Sequence, residues 1–212
     1  MKKLFNIRRD YTSESLNLND LLSNPFEQFD IWYKEAKDAE PFESNAFVLG
    51  TASKDGIVST RYLLLKAYDE EGFIFFTNYE SRKSQQIKEN PHGAMAFYWP
   101  RLQRQVRIEG GLTILPHEQS DEYFNERPQG SKIGAWASPQ SKIIPNREYL
   151  EKLKQEYEDE YSQFRVPRPS FWGGYKLSPL RIEFWQGKKD RLHDRFEYMF
   201  KGGSWTKERL AP

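Results

Sequence analysis

Along the chain the spacing of apolar positions changes period, and each change marks an element. Residues 1–24 are polar, carry the pair Arg8-Arg9 and hold no sustained period, which predicts an arm outside the core. From Pro25 the apolar residues Phe26, Phe29, Trp32 and Tyr33 fall at helical spacing. Pro25 suits a first helical position, so an amphipathic helix is predicted over residues 25–39. The period then shortens to that of strands. Residues 46–52 and 57–66 read as a strand pair joined by Ser53-Lys54-Asp55-Gly56, and residues 72–77 as a third strand. Ser81 is an N-cap candidate for a short helix to Glu89, which Asn90-Pro91 ends. Residues 93–99 and 104–115 predict a hairpin about Pro100-Arg101.

Beyond it, Pro116 opens a helix that runs through Phe124. A charged helix over residues 146–161 places Tyr149, Leu150, Leu153 and Tyr157 on one face. After Val166-Pro167-Arg168-Pro169 come four strands, over residues 174–177, 180–186, 195–200 and 205–209. There is no internal repeat. The expected fold is mostly β, an antiparallel barrel or sandwich with peripheral helices, forming one domain over residues 25–212.

Composition narrows the chemistry. Net charge is +1, from 32 basic and 31 acidic residues, so no global excess draws the protein to nucleic acid and any anion must be held by local clusters. Cysteine is absent, which removes disulfides, thiolate metal sites and cysteine nucleophiles. His92, His117 and His193 lack metal-ligand spacing. No apolar run approaches a membrane span and the first residues lack a secretory signal, so a cytoplasmic location is expected. Aromatics reach 16%, enough to fill a β core, build an interface or line a pocket for a planar ligand.

Four clusters could carry function. In Arg61-Tyr62-Leu63-Leu64-Leu65-Lys66 a strand would set charges at both ends of an apolar stretch, for a ligand lying along it or simply for solvent. In Thr77-Asn78-Tyr79-Glu80-Ser81-Arg82-Lys83 two cations sit at a helix start, where backbone N–H groups favour an anion. Two solvated surface cations are the plainer alternative. Tyr123 and Arg127 share a helical face, with Ser131 one turn beyond Pro128, and could form a second phosphate or carboxylate site, or an ordinary charged helix end. In Arg191-Leu192-His193-Asp194-Arg195 an extended backbone would line up three cations, which repel unless an anionic or π-rich group lies between them. Gly-rich phosphate loops and nucleophile elbows are missing. Two anion sites without a protein nucleophile point to a bound cofactor that does the chemistry.

These blocks, together with Gln105-Val106-Arg107, Gly134-Ala135-Trp136-Ala137-Ser138, Pro169-Ser170-Phe171-Trp172-Gly173-Gly174-Tyr175, Ile182-Glu183-Phe184-Trp185-Gln186-Gly187 and the closing Arg209-Leu210-Ala211-Pro212, resemble the pyridoxine (pyridoxamine) 5'-phosphate oxidase family from Arg8 onward. The Phe-Trp-Gly-Gly and Arg-Leu-His-Asp-Arg blocks are the most specific. The resemblance implies a split β-barrel, a homodimer and two FMN sites built from both subunits. It assigns Arg61, Lys66, Arg82 and Lys83 to FMN, chiefly its phosphate, along the stretch Arg61 to Lys66 and beside Phe76, Thr77 and Ser81. Gln105, Gln140, Ser141, Trp185 and Arg195 would meet the flavin ring or ribityl chain. Lys66, Tyr123, Arg127 and Ser131 would hold the substrate phosphate. Arg191 and His193, with Leu192 between them, would lie over the pyridine ring as the catalytic pair. Arg8, Arg9, Asp10 and Tyr11 would fold over the site. The reaction implied is hydride transfer from substrate C4' to the flavin, then reoxidation by O2 with release of H2O2, and of ammonia from the amine. Another FMN-dependent split-barrel oxidoreductase, or a non-catalytic flavin or pyridoxal-phosphate carrier, are the rival readings.

Overall fold

The computed structural model describes residues 10–212. Its strands form one antiparallel sheet in the order β2 (Val58–Leu64), β1 (Ala46–Ala52), β5 (His92–Trp99), β6 (Arg104–Ile114), β7 (Trp172–Gln186), β4 (Gly72–Asn78) and β3 (Ala67–Asp69). Strand β8 (Asp194–Lys201) joins β7 beyond the end of β4, and β9 (Ser204–Leu210) pairs with β8. The sheet curls into the half-barrel expected of a split-barrel fold. Alternation explains the curl's contents: Phe47 and Leu49 on β1, Met95, Phe97 and Trp99 on β5, Val106 and Ile108 on β6, and Phe184 on β7 all point inward and are buried.

Helix α1 (Pro25–Ala39) covers that interior. The Asn24 side chain accepts the Phe26 N–H at 2.8 Å and caps it, with Pro25 at its first position. Its buried face carries Phe29 into an aromatic nest, with ring centroids 5.0 Å from Tyr68, 5.0 Å from Phe73 and 5.3 Å from Phe97. Trp32 packs edge-on against Phe184 at 5.1 Å. A smaller cluster of Phe124, Ile133, Val166 and Trp172 joins the helices between β6 and β7 to the start of β7.

Several expectations are corrected. The two strands predicted over residues 174–177 and 180–186 are one strand, β7. Pro179 does not break it, because its missing N–H falls where β7 leaves β4, at Leu177, and takes up β8, at Arg181. Opposite, the β6 register shifts between Glu109 and Gly110, and a Cβ on Gly110 would lie 2.0 Å from the Ser178 carbonyl oxygen. The strand predicted to Lys66 ends at Leu64, because Leu65 N–H turns to the Asn45 carbonyl at 2.9 Å and Lys66 N–H to Ile74 at 2.9 Å. After α3 (His117–Glu126), a helix α4 (Gln129–Ala137) holds Ser131 in its first turn. Gly130 and Gly134 had hidden it, and burial of Ile133 and Ala137 outweighs their poor propensity. The charged helix α5 (Arg147–Glu160) is capped by Asn146.

The row of three aligned cations is also corrected. Lys189–Arg191 form a 3-10 turn with Asp190 at φ 57° and Arg191 at φ 64°, so Arg191 lies off the strand and only Arg195 belongs to β8. Ser81 precedes α2 (Arg82–Glu89), yet its hydroxyl donates to the Asn78 carbonyl at 2.7 Å and caps no helical N–H. The described part of the arm lies on its own chain. Leu21 enters the core, Leu16 N–H reaches the Asp194 carboxylate at 2.9 Å, and the Tyr198 hydroxyl donates to Leu22 O at 2.6 Å. Arg8 and Arg9 lie outside the described residues. Among those residues no helix is long and apolar enough to cross a membrane.

Replacing Phe29 by Ala should lower stability by about 3–5 kcal/mol, as expected for truncating a fully buried aromatic. Urea unfolding followed by tryptophan fluorescence measures it, and a loss below about 1 kcal/mol would contradict α1 as part of the core.

Candidate active site

At one end of the barrel a cavity of about 630 Å³ is lined by Tyr62, Leu63, Leu64, Lys66, Phe76, Thr77, Tyr123, Arg127, Ser131, Gln140 and Trp172, among others. The bend after β2 delivers Lys66, the end of β4 delivers Phe76 and Thr77, and the α3–α4 junction delivers Arg127 and Ser131. Phe76, Tyr123 and Trp172 form a stack. Phe76 lies 4.0 Å from Tyr123 at 21° and 5.5 Å from Trp172 at 10°. Leu65 instead points into the barrel core.

Two groups in or beside this cavity are cations without a counter-charge. The Lys83 ammonium is buried and donates to Thr77 Oγ1 at 3.0 Å, Ser81 Oγ at 3.1 Å and Gln140 Oε1 at 2.7 Å, all neutral acceptors. Burial, reinforced by Arg61, lowers its pKa to about 8. Arg61 donates to Leu49 O at 3.1 Å, Thr51 Oγ1 at 2.7 Å and Ser59 Oγ at 2.8 Å, and is itself pushed down by burial and by Arg82. Among the described residues no carboxylate lies within 4.0 Å of Arg61, Arg82 or Lys83. On the other side, Arg127 lies over the Trp172 ring at 4.5 Å, and its Nη1 is buried without a partner. Burial lowers its pKa too. Buried, unpaired cations are costly, so both groups fit a missing anion such as a phosphate. Ser141, with φ 71°, follows Gln140 in the adjoining loop.

Residues 34–159 match the family model described as pyridoxamine 5'-phosphate oxidase, and residues 172–212 match the pyridoxine 5'-phosphate oxidase C-terminal dimerisation region. The chain is 50% identical to a pyridoxine/pyridoxamine 5'-phosphate oxidase of Salinibacter ruber over 100% of both chains. It is 51% identical to one of Aliarcobacter butzleri over 99% of each. The chain belongs to the pyridoxine/pyridoxamine 5'-phosphate oxidase family. Among solved structures, PhzG of Burkholderia lata, in complex with tetrahydrophenazine-1-carboxylic acid, superposes with TM-score 0.89 at 29% identity, covering 96% of this chain and 100% of that one. A pyridoxamine 5'-phosphate oxidase-related, FMN-binding protein of Nostoc punctiforme shares the fold, with TM-score 0.70 at 16% identity, covering 87% and 97%. Membership in this oxidase family makes the chain an enzyme and points to a flavin cofactor, and the dimerisation-region match supports a homodimer.

The remaining residues singled out in the sequence gather elsewhere. Register places Gln105, Trp185 and Arg195 side by side across β6, β7 and β8 on the outer face of the sheet. Beyond β7, His193 lies 4.6 Å from Trp185, and Tyr11 meets both rings edge-on at 5.6 and 5.4 Å. His193 Nδ1 accepts the Lys188 N–H at 3.1 Å, and burial with Arg191 nearby lowers its pKa, so the ring is held neutral with its proton on Nε2. Arg191 and Leu192 are exposed beside it, and Asp10 is exposed at the start of the described chain. Trp172 and Trp185 stand thirteen residues apart on β7, on the order of 40 Å of strand. Among the described residues no hydrogen bond or ring contact links Trp185, His193 or Arg195 to the cavity.

Sequence reasoning quoted Trp172 within a motif but gave it no place in the site. The structure gives the reason for the Gly pair after it, since a Cβ on Gly173 would lie 2.2 Å from the Tyr79 hydroxyl. Glu183 was missed as well. It is a buried acid amid apolar neighbours, and such residues are rare unless paired.

The low Lys83 pKa gives a signed prediction. Below about pH 8 the free protein offers a charged ammonium, and a bound anion raises that pKa further. Phosphate affinity of the cofactor-free protein should therefore be full below that value and decline above it, with proton uptake on binding. Calorimetry in buffers of different ionisation heat reads both, and a flat profile from pH 7 to 10 would contradict it.

Proposed function

We propose that the protein is a homodimeric, FMN-dependent oxidase that converts pyridoxamine or pyridoxine 5'-phosphate to pyridoxal 5'-phosphate. The observation that carries this reading is two cationic groups without an ion pair at one aromatic cavity, Arg127 in its lining and Lys83 bonded to its wall residues Thr77 and Gln140. Arg61, Arg82 and Lys83, with Thr77 and Ser81, are suited to the cofactor phosphate. Lys66, Tyr123, Arg127 and Ser131 are suited to the substrate phosphate, where the orphaned Arg127 Nη1 gains the acceptor it lacks. Lys66 lines the same cavity, with its Nζ 5.9 Å from the Tyr123 ring centroid, and is suited to either phosphate.

Separation of Gln105, Trp185 and Arg195 from that cavity within one chain supports a site completed by a second subunit. Trp185 and Arg195 would then border the flavin ring, while Arg191 and His193, with Tyr11 closing behind, would cover the substrate ring. Bound FMN would supply two-electron oxidation of the substrate and pass the electrons to O2, giving H2O2. The chain's own share is orientation. A neutral His193 donates from Nε2, and Arg191 adds positive charge where charge changes during oxidation. PhzG, bound to a carboxylic acid of another ring system, shows that a related protein takes a different ligand; the Arg127 group favours a phosphate here.

Anaerobic addition of pyridoxine 5'-phosphate should bleach the flavin absorbance of the purified protein, and air should restore it. A yellow protein that does not bleach refutes the oxidase reading and leaves another split-barrel flavoenzyme or a flavin carrier. Arg127→Ala should raise KM for the phosphorylated substrate at least about tenfold while FMN stays bound. Arg191→Ala should cut kcat by a similar factor or more with FMN retained. Unchanged kinetics would remove either residue from its role.

A further inference from the structure

Glu183 takes no part in the reading above, yet it is among the most enclosed acids in the protein, with its side chain 3% exposed. It stands on the outer face of β7, between Arg107 on β6 and Glu197 on β8 in the cross-strand register. Its carboxylate receives Arg195 in fork geometry: Nε donates to Oε1 at 2.9 Å and Nη2 to Oε2 at 3.0 Å. Arg107 donates to Oε2 from the other side. The third nitrogen of Arg195, Nη1, donates to the Ala211 carbonyl at 2.7 Å. All three guanidinium nitrogens are thus fixed by this chain, which leaves two of the five N–H bonds for other acceptors.

We propose that Glu183 and the Ala211 carbonyl are positioning groups that set the Arg195 guanidinium before the flavin binds, so that it offers two fixed donors to the ring. The inference rests on the reading that FMN lies against Arg195. An arginine held on three sides loses little freedom on meeting its ligand, whereas a free one must be ordered at that moment. Pairing keeps Glu183 ionised, its pKa lowered by Arg195 and Arg107 against the opposing effect of burial. The bidentate bond likewise holds Arg195 firmly charged. Arg107 steadies the carboxylate from β6, the strand that carries Gln105. The closing segment is held in turn: Arg209 bonds the Asp194 carboxylate at 2.6 Å and Leu16 O at 2.9 Å, and lies over Phe196 at 4.4 Å. That clamp keeps the Ala211 carbonyl in reach.

The test compares wild type with Glu183→Gln, Glu183→Asp and a chain ending at Leu210. Each full dimer is stripped of cofactor and titrated with FMN, by quenching of flavin fluorescence. Wild-type binding comes first: if it takes up no FMN, the functional reading fails and not this inference. Glu183→Gln keeps the size but loses the charge, and should weaken FMN about tenfold or more, as for a charge-assisted hydrogen bond. Glu183→Asp should recover part of that loss. The Leu210 chain removes a surface acceptor, and should weaken FMN about threefold with the melting temperature of the cofactor-free protein unchanged. At saturating FMN, Glu183→Gln should also alter the visible circular dichroism of the bound flavin, which reports groups beside the ring. Wild-type affinity and an unaltered spectrum in Glu183→Gln and the Leu210 chain would overturn the proposal. So would affinity losses that track melting temperature in all three variants with an unaltered spectrum, since that marks a purely structural role.

Discussion

Strand β7 is the constraint on which the rest of the molecule hangs. It pairs with β6 along its length, while on its other edge it serves β4 first and β8 afterwards. One strand with two partners lets the sheet split. Pro179 and the bulge opposite Gly110 sit at the point of division, where a missing N–H and an extra residue can be absorbed without an orphaned ladder bond. The two ends of β7 then serve different tasks. Trp172 closes the cation-lined cavity, and Trp185 stands in the row with Gln105 and Arg195.

Electrostatics explains why the cavity has the form it does. The interior beneath it is apolar and aromatic, and among the described residues Lys83 and Arg127 form no ion pair but are held by hydroxyls, amides and ring faces. That arrangement is unfavourable in the free protein and becomes favourable when an anion arrives. The outer face of the sheet follows the opposite rule. Glu183 there meets two arginines, and Arg181 pairs with Glu197, so the face carries nearly balanced charge. Lys83 and Arg127 stand without an ion pair in or beside the cavity, whereas the paired charges of the outer face hold one another in place.

The sequence by itself determined the helix from Pro25, strands β1, β4 and β5, the hairpin into β6, and the family. Those are local matters of periodicity, turn residues and dense motifs. It also singled out Lys66, Lys83, Tyr123 and Arg127, which the structure gathers in or beside one cavity, although local spacing alone left ordinary surface charge as an alternative and the resemblance supplied their roles. Tertiary structure decided the rest. The unity of β7 across Pro179 depends on which strands flank it, and α4 exists because Ile133 and Ala137 find a core to enter. Arg191 leaves the strand because the chain must turn through two left-handed residues before β8 begins. Glu183 could be given its place only once register had set Arg107 opposite it on β6 and brought Arg195, two residues from its β8 partner Glu197, within reach. Spacing along a chain reports which face a residue takes, but pairing between distant strands decides what it meets there.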